Sequence, residues 1–299
     1  MSGLEFTNLV VSALLLAGVY AVMSVGMTVI YGVMKIVNLA HAGVMMIGAY
    51  LAWEIVERFH LDPILAALIV FPLMFGLGKI VHWTLVRWLP HSDQPTLASL
   101  LLMFGLWLVL QNVGYLIWGN TDESILTERT MAVVHVGPIT IAKVRLVVFV
   151  AAAASMIVLQ FILNRTWFGR SLRSLIQNRY AGRIVGVNAE RTESNTFSLG
   201  IAFGGFAGAL LASLYSFNPD FGRSFLIRSF VIIVLGGLES IAGVAIGAIV
   251  LALVETFSIV FIPASYQLAI SYGMLVVVLI VLPGGIASLA PKLRIRRAA

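Results

Sequence analysis

The chain has 299 residues, of which 60% are hydrophobic and only 11% are charged, and it contains no cysteine. The hydrophobic share lies well above the roughly 45–50% of ordinary soluble domains and indicates an integral membrane protein. The lack of cysteine excludes disulfide bonds, thiolate metal sites and cysteine nucleophiles within the chain.

Several stretches are apolar enough to cross a bilayer, which takes about 18 or more nearly uncharged residues in a helix. In chain order they are Asn8–Val33, Pro63–Val86, Leu97–Trp118, Leu146–Leu163, Phe197–Phe217 and Leu268–Leu282. The first follows an acidic start and lacks a clean cleavage site, so we interpret it as a span and expect the mature chain to begin near Met1. The predicted fold is all-α: a single polytopic membrane domain over 1–299 with about eight or nine transmembrane segments.

The positive charge is concentrated in two places, because 10 of the 19 Lys and Arg fall within Arg165–Arg191 and Lys292–Arg297. In a membrane protein such clusters indicate the cytoplasmic side rather than a nucleic-acid interface. We therefore predict a cytoplasmic loop at 165–195 and a basic cytoplasmic tail at 291–299. The acidic segment Gly119–Lys143 is predicted to be external, and counting back places the N-terminus outside.

The stretch Ile227–Glu255 is too short for two full spans and long for one, at about 1.5 Å of rise per residue. We predict a broken element here. It would consist of a short half-helix near Arg228–Leu235, a non-helical break at Gly236-Gly237 and a helix from about Ile241 to Phe257. The number of crossings that this element supplies stays open.

A weak internal repeat relates the two halves of the chain. Val37–Glu57 and Leu235–Glu255 each begin with a polar break, continue with small residues and end an apolar run in Val-Glu. Interrupted segments at corresponding places in two halves indicate a transport pathway formed by broken or re-entrant helices. The alternative is ordinary packing of glycine-rich helices, which the G-x-x-x-G pairs Gly200/Gly204, Gly204/Gly208 and Gly243/Gly247 would also suit.

The basic stretch after the fourth apolar run has the pattern of a short amphipathic helix. The apolar residues recur at helical spacing: Phe168, Leu172, Leu175, Ile176 and, less regularly, Tyr180. Arg170, Arg173, Ser174 and Gln177 lie mostly elsewhere around the turn, and Arg183–Val187 gives a second apolar patch. Such a helix could fill a groove on a partner protein. It could also lie on anionic lipid headgroups as a basic loop.

Three segments, in this order, resemble the shorter membrane permease subunit of branched-chain amino acid ABC importers. They are YGVMKIVNLAHAGVMMIGAY, RTWFGRSLRSLIQNRYAGRIVGVN and FVIIVLGGLESIAGVAIGAIVLALVE. The likeness spans nearly the whole chain. It implies a non-catalytic permease subunit in the bacterial inner membrane, importing branched-chain or other apolar amino acids. The same family includes permeases for urea or short amides and for aromatic carboxylates, which stay open as substrates.

The resemblance also implies partners. These would be a second permease subunit, identical or different, two cytoplasmic ATPases and a periplasmic substrate-binding protein, besides membrane lipid. No cofactor is expected in this chain: its Gly78-Lys79 pair lacks the rest of a phosphate-binding loop, so ATP would be bound by the partners. The chain departs from the family pattern at two places on the expected pathway. One is Glu239, after Leu-Gly-Gly-Leu, and the other is His41-Ala42-Gly43.

The candidate site residues form two groups. Polar groups and helix breaks at membrane depth need a partner or a cavity. Those predicted to line the substrate pathway are Asn38, His41, Gly236, Gly237, Glu239 and Ser240. By resemblance, the residues predicted to couple the chain to the ATPases are Phe168, Gly169, Arg170, Leu172, Arg173, Ala181 and Gly186. If the second break lies at the interface, Glu239 would instead be a solvated loop residue.

Other polar residues have simpler interpretations. Glu57, Glu255, Trp53 and Trp118 are predicted to mark membrane edges, and the histidines show no metal-ligand spacing, so no metal site is predicted. An ion-coupled secondary transporter would need more intramembrane acids. A membrane hydrolase would need a nucleophile with a base in reach. Both alternatives rank below the permease.

Overall fold

The structure is a computed structural model that describes residues 3–91, 95–125, 127, 132–136, 139–282 and 284–286. Its helices are α1 Gly3–Met34, α2 His41–Phe59, α3 Pro63–Thr84, α4 Pro95–Trp118, α5 Lys143–Arg165, α6 Trp167–Gln177, α7 Arg179–Ile184, α8 Ala189–Ala212, α9 Phe221–Gly236, α10 Ile241–Ser258 and α11 Gln267–Val281. Short 3₁₀ turns cover Val86–His91 and Ala264–Tyr266. The predicted basic tail at 291–299 lies outside the described residues.

The all-α membrane fold is confirmed. Within the described part of the chain, six helices are long and apolar enough to cross a membrane: α1, α3, α4, α5, α8 and α10. One element was not predicted from the sequence: an antiparallel hairpin of β1 Val133–Val136 and β2 Ile139–Ala142. It lies in the segment that was predicted to be an external loop.

Helix α8 occupies the centre of the bundle and is buried along nearly its whole length, with α1, α2 and α3 packed around it. The contact with α2 is a backbone approach: a Cβ on Gly208 would lie 2.0 Å from the carbonyl oxygen of Met45. The Gly204/Gly208 pair therefore lets α8 pack closely against α2, as G-x-x-x-G motifs let helices approach each other in membranes. Helix α8 also begins earlier than predicted, because the polar run from Asn188 caps and forms its first turns.

The two ends of the bundle can be told apart. At one end, which we call the basic end, α8 starts directly after the arginine-rich loop, and Gly26 on the second half of α1 packs against Gly200. At the other, the hairpin end, Phe217 pairs with Glu123 through backbone hydrogen bonds of 2.8 Å. The two predicted loop regions of opposite charge therefore lie at opposite ends.

The broken element at Ile227–Glu255 has the predicted break, but its first helix is longer than predicted. Helix α9 starts at Phe221, at the hairpin end, and reaches the basic end at Gly236. Arg223 and Arg228 interrupt the apolar run there, so hydropathy alone did not predict the first part of this helix. Helices α9, α10 and α11 then run back and forth between the two ends of the bundle. Gly285, just after α11, packs on Gly237 at the basic end.

Candidate translocation pathway and coupling surface

Helix α2 starts inside the bundle rather than at its edge. Residues 35–40 follow α1 without regular structure and turn back inward, so that His41, the first residue of α2, lies against Met23 in the middle of α1. Its Nε2 atom is 2.7 Å from the Met23 carbonyl oxygen. The His41 ring also packs on Gly204, where a Cβ would lie 2.7 Å from the ring. This is the re-entrant geometry predicted from the repeat.

Asn38 lies in the re-entrant segment and is 1% exposed. Neither atom of its side-chain amide has a hydrogen-bond partner in the described structure, and His41 Nδ1 is likewise unpartnered. A buried polar group without a partner costs about 1–3 kcal/mol. Native proteins keep such groups rarely, and each one calls for an explanation such as a functional role or a bound water. Asn38 and His41 thus form a buried polar pair at the start of α2, whose N-cap residue Ala40 supplies no side-chain cap.

The second break is tightly built from backbone contacts. Gly237 ends α9 at φ +101°, a conformation that favours glycine. A Cβ on Gly236 would lie 2.4 Å from the carbonyl of Gly243 on the next helix. The Ser240 side chain accepts a hydrogen bond of 3.0 Å from the Gly243 N–H and so caps α10. Three of the predicted pathway residues therefore have a clear structural role at this break.

Glu239 lies on the exposed side of the second break and forms an ion pair with Lys35, which directly follows α1. The pair joins the two breaks at the basic end. The Asn38 and His41 side chains make no hydrogen bond to the second break. The structure therefore brings the two interrupted segments together through Lys35 and Glu239, and places Asn38 and His41 deeper in the bundle.

The arginine-rich loop folds into the helix pair α6 and α7. Thr166 caps α6 by accepting from the Gly169 N–H at 3.3 Å, and a Cβ on Gly169 would lie 1.9 Å from the Leu163 carbonyl oxygen. Arg173 donates to that same carbonyl, which lies in the last turn of α5. Gly169 and Arg173 therefore hold the turn between α5 and α6.

Most of the apolar stripe of α6 faces inward, and only its last member, Ile176, is exposed. Leu172 is only 8% exposed and Phe168 is half-buried against the core. Arg170 is exposed and stacks its guanidinium over Trp167, 4.1 Å from the ring centroid. Ala181 and Gly186 are exposed, and Gly186 adopts φ +87°.

A different set of apolar side chains is exposed on this loop. We call it the exposed loop surface; it consists of Trp167, Tyr180, Ile184 and Val185, which are 77%, 82%, 86% and 75% exposed. Periodicity over α6 alone could not reveal it, because Asn178 starts a second helix by accepting from the N–H groups of Tyr180 and Ala181. The helical stripe is thus broken between the two helices.

Glu255, which was predicted to mark a membrane edge, has a buried side chain. Its side chain is 2% exposed and forms an ion pair with Arg228 at 2.9 Å, inside the bundle near the hairpin end. Tyr20 and Ser271 donate further hydrogen bonds to the same carboxylate. Four helices, α1, α9, α10 and α11, meet at this one side chain.

Comparison with known proteins adds the following. A model of the family described as "Branched-chain amino acid transport system / permease component" matches residues 9–279. The LivH branched-chain amino acid permease protein of Escherichia coli (strain K12) is 28% identical over 295 residues, which is 95% of this chain and 96% of LivH. The BraD permease protein of Pseudomonas aeruginosa is 27% identical, covering 94% of this chain and 95% of BraD.

A second type of permease protein in such systems is more distant. LivM of Escherichia coli (strain K12) is 29% identical over 166 residues, covering 52% of this chain and 38% of LivM. No solved structure matches the chain.

Proposed function

The chain belongs to the branched-chain amino acid transport permease family, a family of ABC-importer permease components, and we propose that it imports leucine, isoleucine and valine. It is a multi-pass membrane protein. We further propose that it works in the bacterial inner membrane, as a non-catalytic subunit, with a second permease subunit related to LivM. Two cytoplasmic ATPases that bind ATP and a periplasmic binding protein would complete the importer.

The observation that carries the proposed pathway is the unpartnered amide of Asn38 at the re-entrant start of α2. Irregular backbone at membrane depth is tolerated where it is buried in protein or lines a cavity. The N-terminus of a helix that starts within the membrane directs partial positive charge at its surroundings, which suits a passing carboxylate. The Asn38 amide can donate to that carboxylate and accept from an ammonium group.

The test is uptake of labelled leucine, urea and benzoate by the reconstituted importer, for wild type and Asn38→Leu. Replacing an unpartnered buried amide by an apolar group of similar size should leave stability unchanged or raised. Loss of a substrate hydrogen bond of about 1.5–3 kcal/mol should lower leucine uptake about tenfold or more. A protein that is as stable as wild type but transports poorly would identify Asn38 as a pathway residue.

The matched control is Asn112→Leu, because Asn112 is exposed on α4 and, among the described residues, donates only to the Leu108 carbonyl of its own helix. It should leave uptake unchanged. Normal leucine uptake by Asn38→Leu would remove Asn38 from the pathway. Transport of urea or benzoate in place of leucine would refute the proposed substrate.

We propose that the exposed loop surface is where the ATPases dock. Large apolar side chains that are exposed next to arginines are typical anchors of protein interfaces. The buried residues Leu172 and Phe168 would support this surface from below, and Gly169 and Arg173 would hold its connection to α5. Movement of the ATPases would thereby reach the end of α5 and the start of α8.

Ile184→Asp tests this docking. An interface anchor carries about 2 kcal/mol or more, so association with the ATPases should weaken about 30-fold and leucine uptake should fall with it. Val133→Asp is the control, since Val133 is an exposed apolar residue at the hairpin end. Association is measured by co-purification in mild detergent. Undiminished co-purification and uptake in Ile184→Asp would place the docking surface elsewhere.

A further inference from the structure

A cavity of about 310 Å³ opens beside the Arg228–Glu255 pair near the hairpin end. Its volume falls within the range of small-molecule sites. Polar side chains from six parts of the chain line it: Tyr20, Arg145, Tyr215, Arg228, Glu255 and Gln267. Its lining on α1 ends at Tyr20, one helical turn before Met23, and does not include Asn38 or His41, so the cavity is a neighbour of the re-entrant site and shares no residue with it.

The polar lining carries one positive charge in excess. Glu255 is occupied on both oxygens: Oε1 accepts from Arg228 and Ser271, and Oε2 accepts from Tyr20. Arg228 uses its Nε for this pair and its Nη1 for the Ser224 carbonyl at 3.4 Å. Its Nη2 makes no hydrogen bond within the described part of the chain.

Arg145 supplies the excess charge. It lies at the start of α5, on the rim of the cavity, and it forms no hydrogen bond and no ion pair with the residues that the structure describes. A smaller cavity of about 80 Å³ continues past Arg145 to Ile141 on the hairpin. A guanidinium in this position is suited to bind a carboxylate through two parallel hydrogen bonds.

The rest of the lining fits the other parts of a zwitterion. Leu16, Leu214 and Phe225 give an apolar wall. The phenol oxygens of Tyr20 and Tyr215 and the amide oxygen of Gln267 can accept hydrogen bonds from an ammonium group. A plain anion would use only the arginines, and a neutral amide would leave the charge of Arg145 without a partner.

We infer that this cavity is a second substrate subsite, at the hairpin end, for an α-amino acid with an apolar side chain, with Arg145 receiving its carboxylate. The inference rests on the proposed function and adds a place where substrate is held before it reaches the re-entrant start of α2. It also gives Arg145 a role that the buried pair does not require.

The absence of cysteine permits a direct test in the complete reconstituted importer. Ser12→Cys puts one thiol on the cavity wall, and Ser216→Cys puts one on the exposed loop at the same end, outside the cavity. Modification by a small thiol reagent is followed on the separated chain. Leucine at about ten times its dissociation constant should slow modification of Ser12→Cys about tenfold, because only the unoccupied fraction reacts.

Three comparisons complete the test. Leucine should leave the modification of Ser216→Cys unaffected, and urea should protect neither thiol. In the Ser12→Cys chain, Arg145→Gln should abolish the protection by leucine. Arg223→Gln should preserve that protection, because Arg223 is a nearby exposed arginine outside the lining. Leucine uptake without protection of Ser12→Cys would overturn the subsite and leave the importer intact. Failure of leucine uptake itself would overturn the proposed function. A modification rate that rises on removal of lipid and ignores leucine would assign the cavity to lipid and also overturn the subsite.

Discussion

Helices α1 and α10 lie antiparallel, and a charge pair stands near each end of them, in very different surroundings. At the basic end, the side chains of Lys35 and Glu239 are 52% and 56% exposed. Near the hairpin end, those of Arg228 and Glu255 are 10% and 2% exposed. Phe6 and Phe257 pack their rings 5.5 Å apart beyond the buried pair, whereas the exposed pair joins two non-helical breaks.

The difference in burial determines what each pair can do. Exposed ion pairs are screened and contribute about 0–1 kcal/mol, so the contact between the two breaks can open at little cost. Breaking a buried pair leaves a charge without a partner and costs several kcal/mol. We therefore expect the hairpin end of α1, α9, α10 and α11 to stay together while the breaks at the basic end separate.

The largest effect is expected at the buried pair. Glu255→Leu should lower the free energy of unfolding by about 3–5 kcal/mol, because it leaves Arg228 charged and unpaired among apolar side chains. The measurement is thermal denaturation of the purified chain in detergent. The double variant Arg228→Met/Glu255→Leu removes both charges and should regain most of the loss; a double variant as unstable as the single one would contradict this account.

A smaller effect is expected from the hydroxyl that supports the buried carboxylate. Tyr20→Phe removes a hydrogen bond to Glu255, and bonds to charged groups contribute about 1.5–3 kcal/mol. Tyr31→Phe is the matched change at the basic end, where the ring lies 5.5 Å from the Lys35 ammonium and the hydroxyl has no part in the pair. Equal denaturation temperatures for the two variants would erase the distinction between the ends.

The smallest effect on stability is expected at the exposed pair. Lys35→Gln and Glu239→Gln should each change the free energy of unfolding by less than about 1 kcal/mol, and added salt should shrink the change further. Leucine uptake by Glu239→Gln and Glu239→Gly tests separately whether Glu239 belongs to the pathway. Unchanged uptake in both would place Glu239 outside the pathway, and a salt-independent loss of stability would show that the pair is not a surface pair.

The sequence predicted what local patterns determine. The apolar runs became helices, and the Gly236-Gly237 break and the start of α10 at Ile241 are where they were predicted. Hydropathy could not predict contacts between distant residues. Arg228 and Glu255 each look like an interruption or an edge when read alone, and only their pairing makes both compatible with a helix interior.

The candidate site divides in the same way. Asn38 and His41 were predicted as polar groups at a break, and the structure adds that α2 starts beside the middle of α1. The inward direction of Leu172 could not be predicted, because an amphipathic stripe does not reveal whether it packs on its own chain or on a partner. The exposed loop surface arises from two helices, which no single periodicity describes.

The central position of α8 has a consequence for how the chain is assembled during synthesis. Helices α1, α2 and α3 emerge first, yet the helix that their inner faces pack around starts only at Ala189. Until then, glycine faces that fit a backbone, such as Gly26 and Gly48, meet only lipid or other proteins. A nascent chain that stops before residue 189 therefore has inserted helices that lack their central helix, and the faces that stay uncovered make such a chain prone to misassembly.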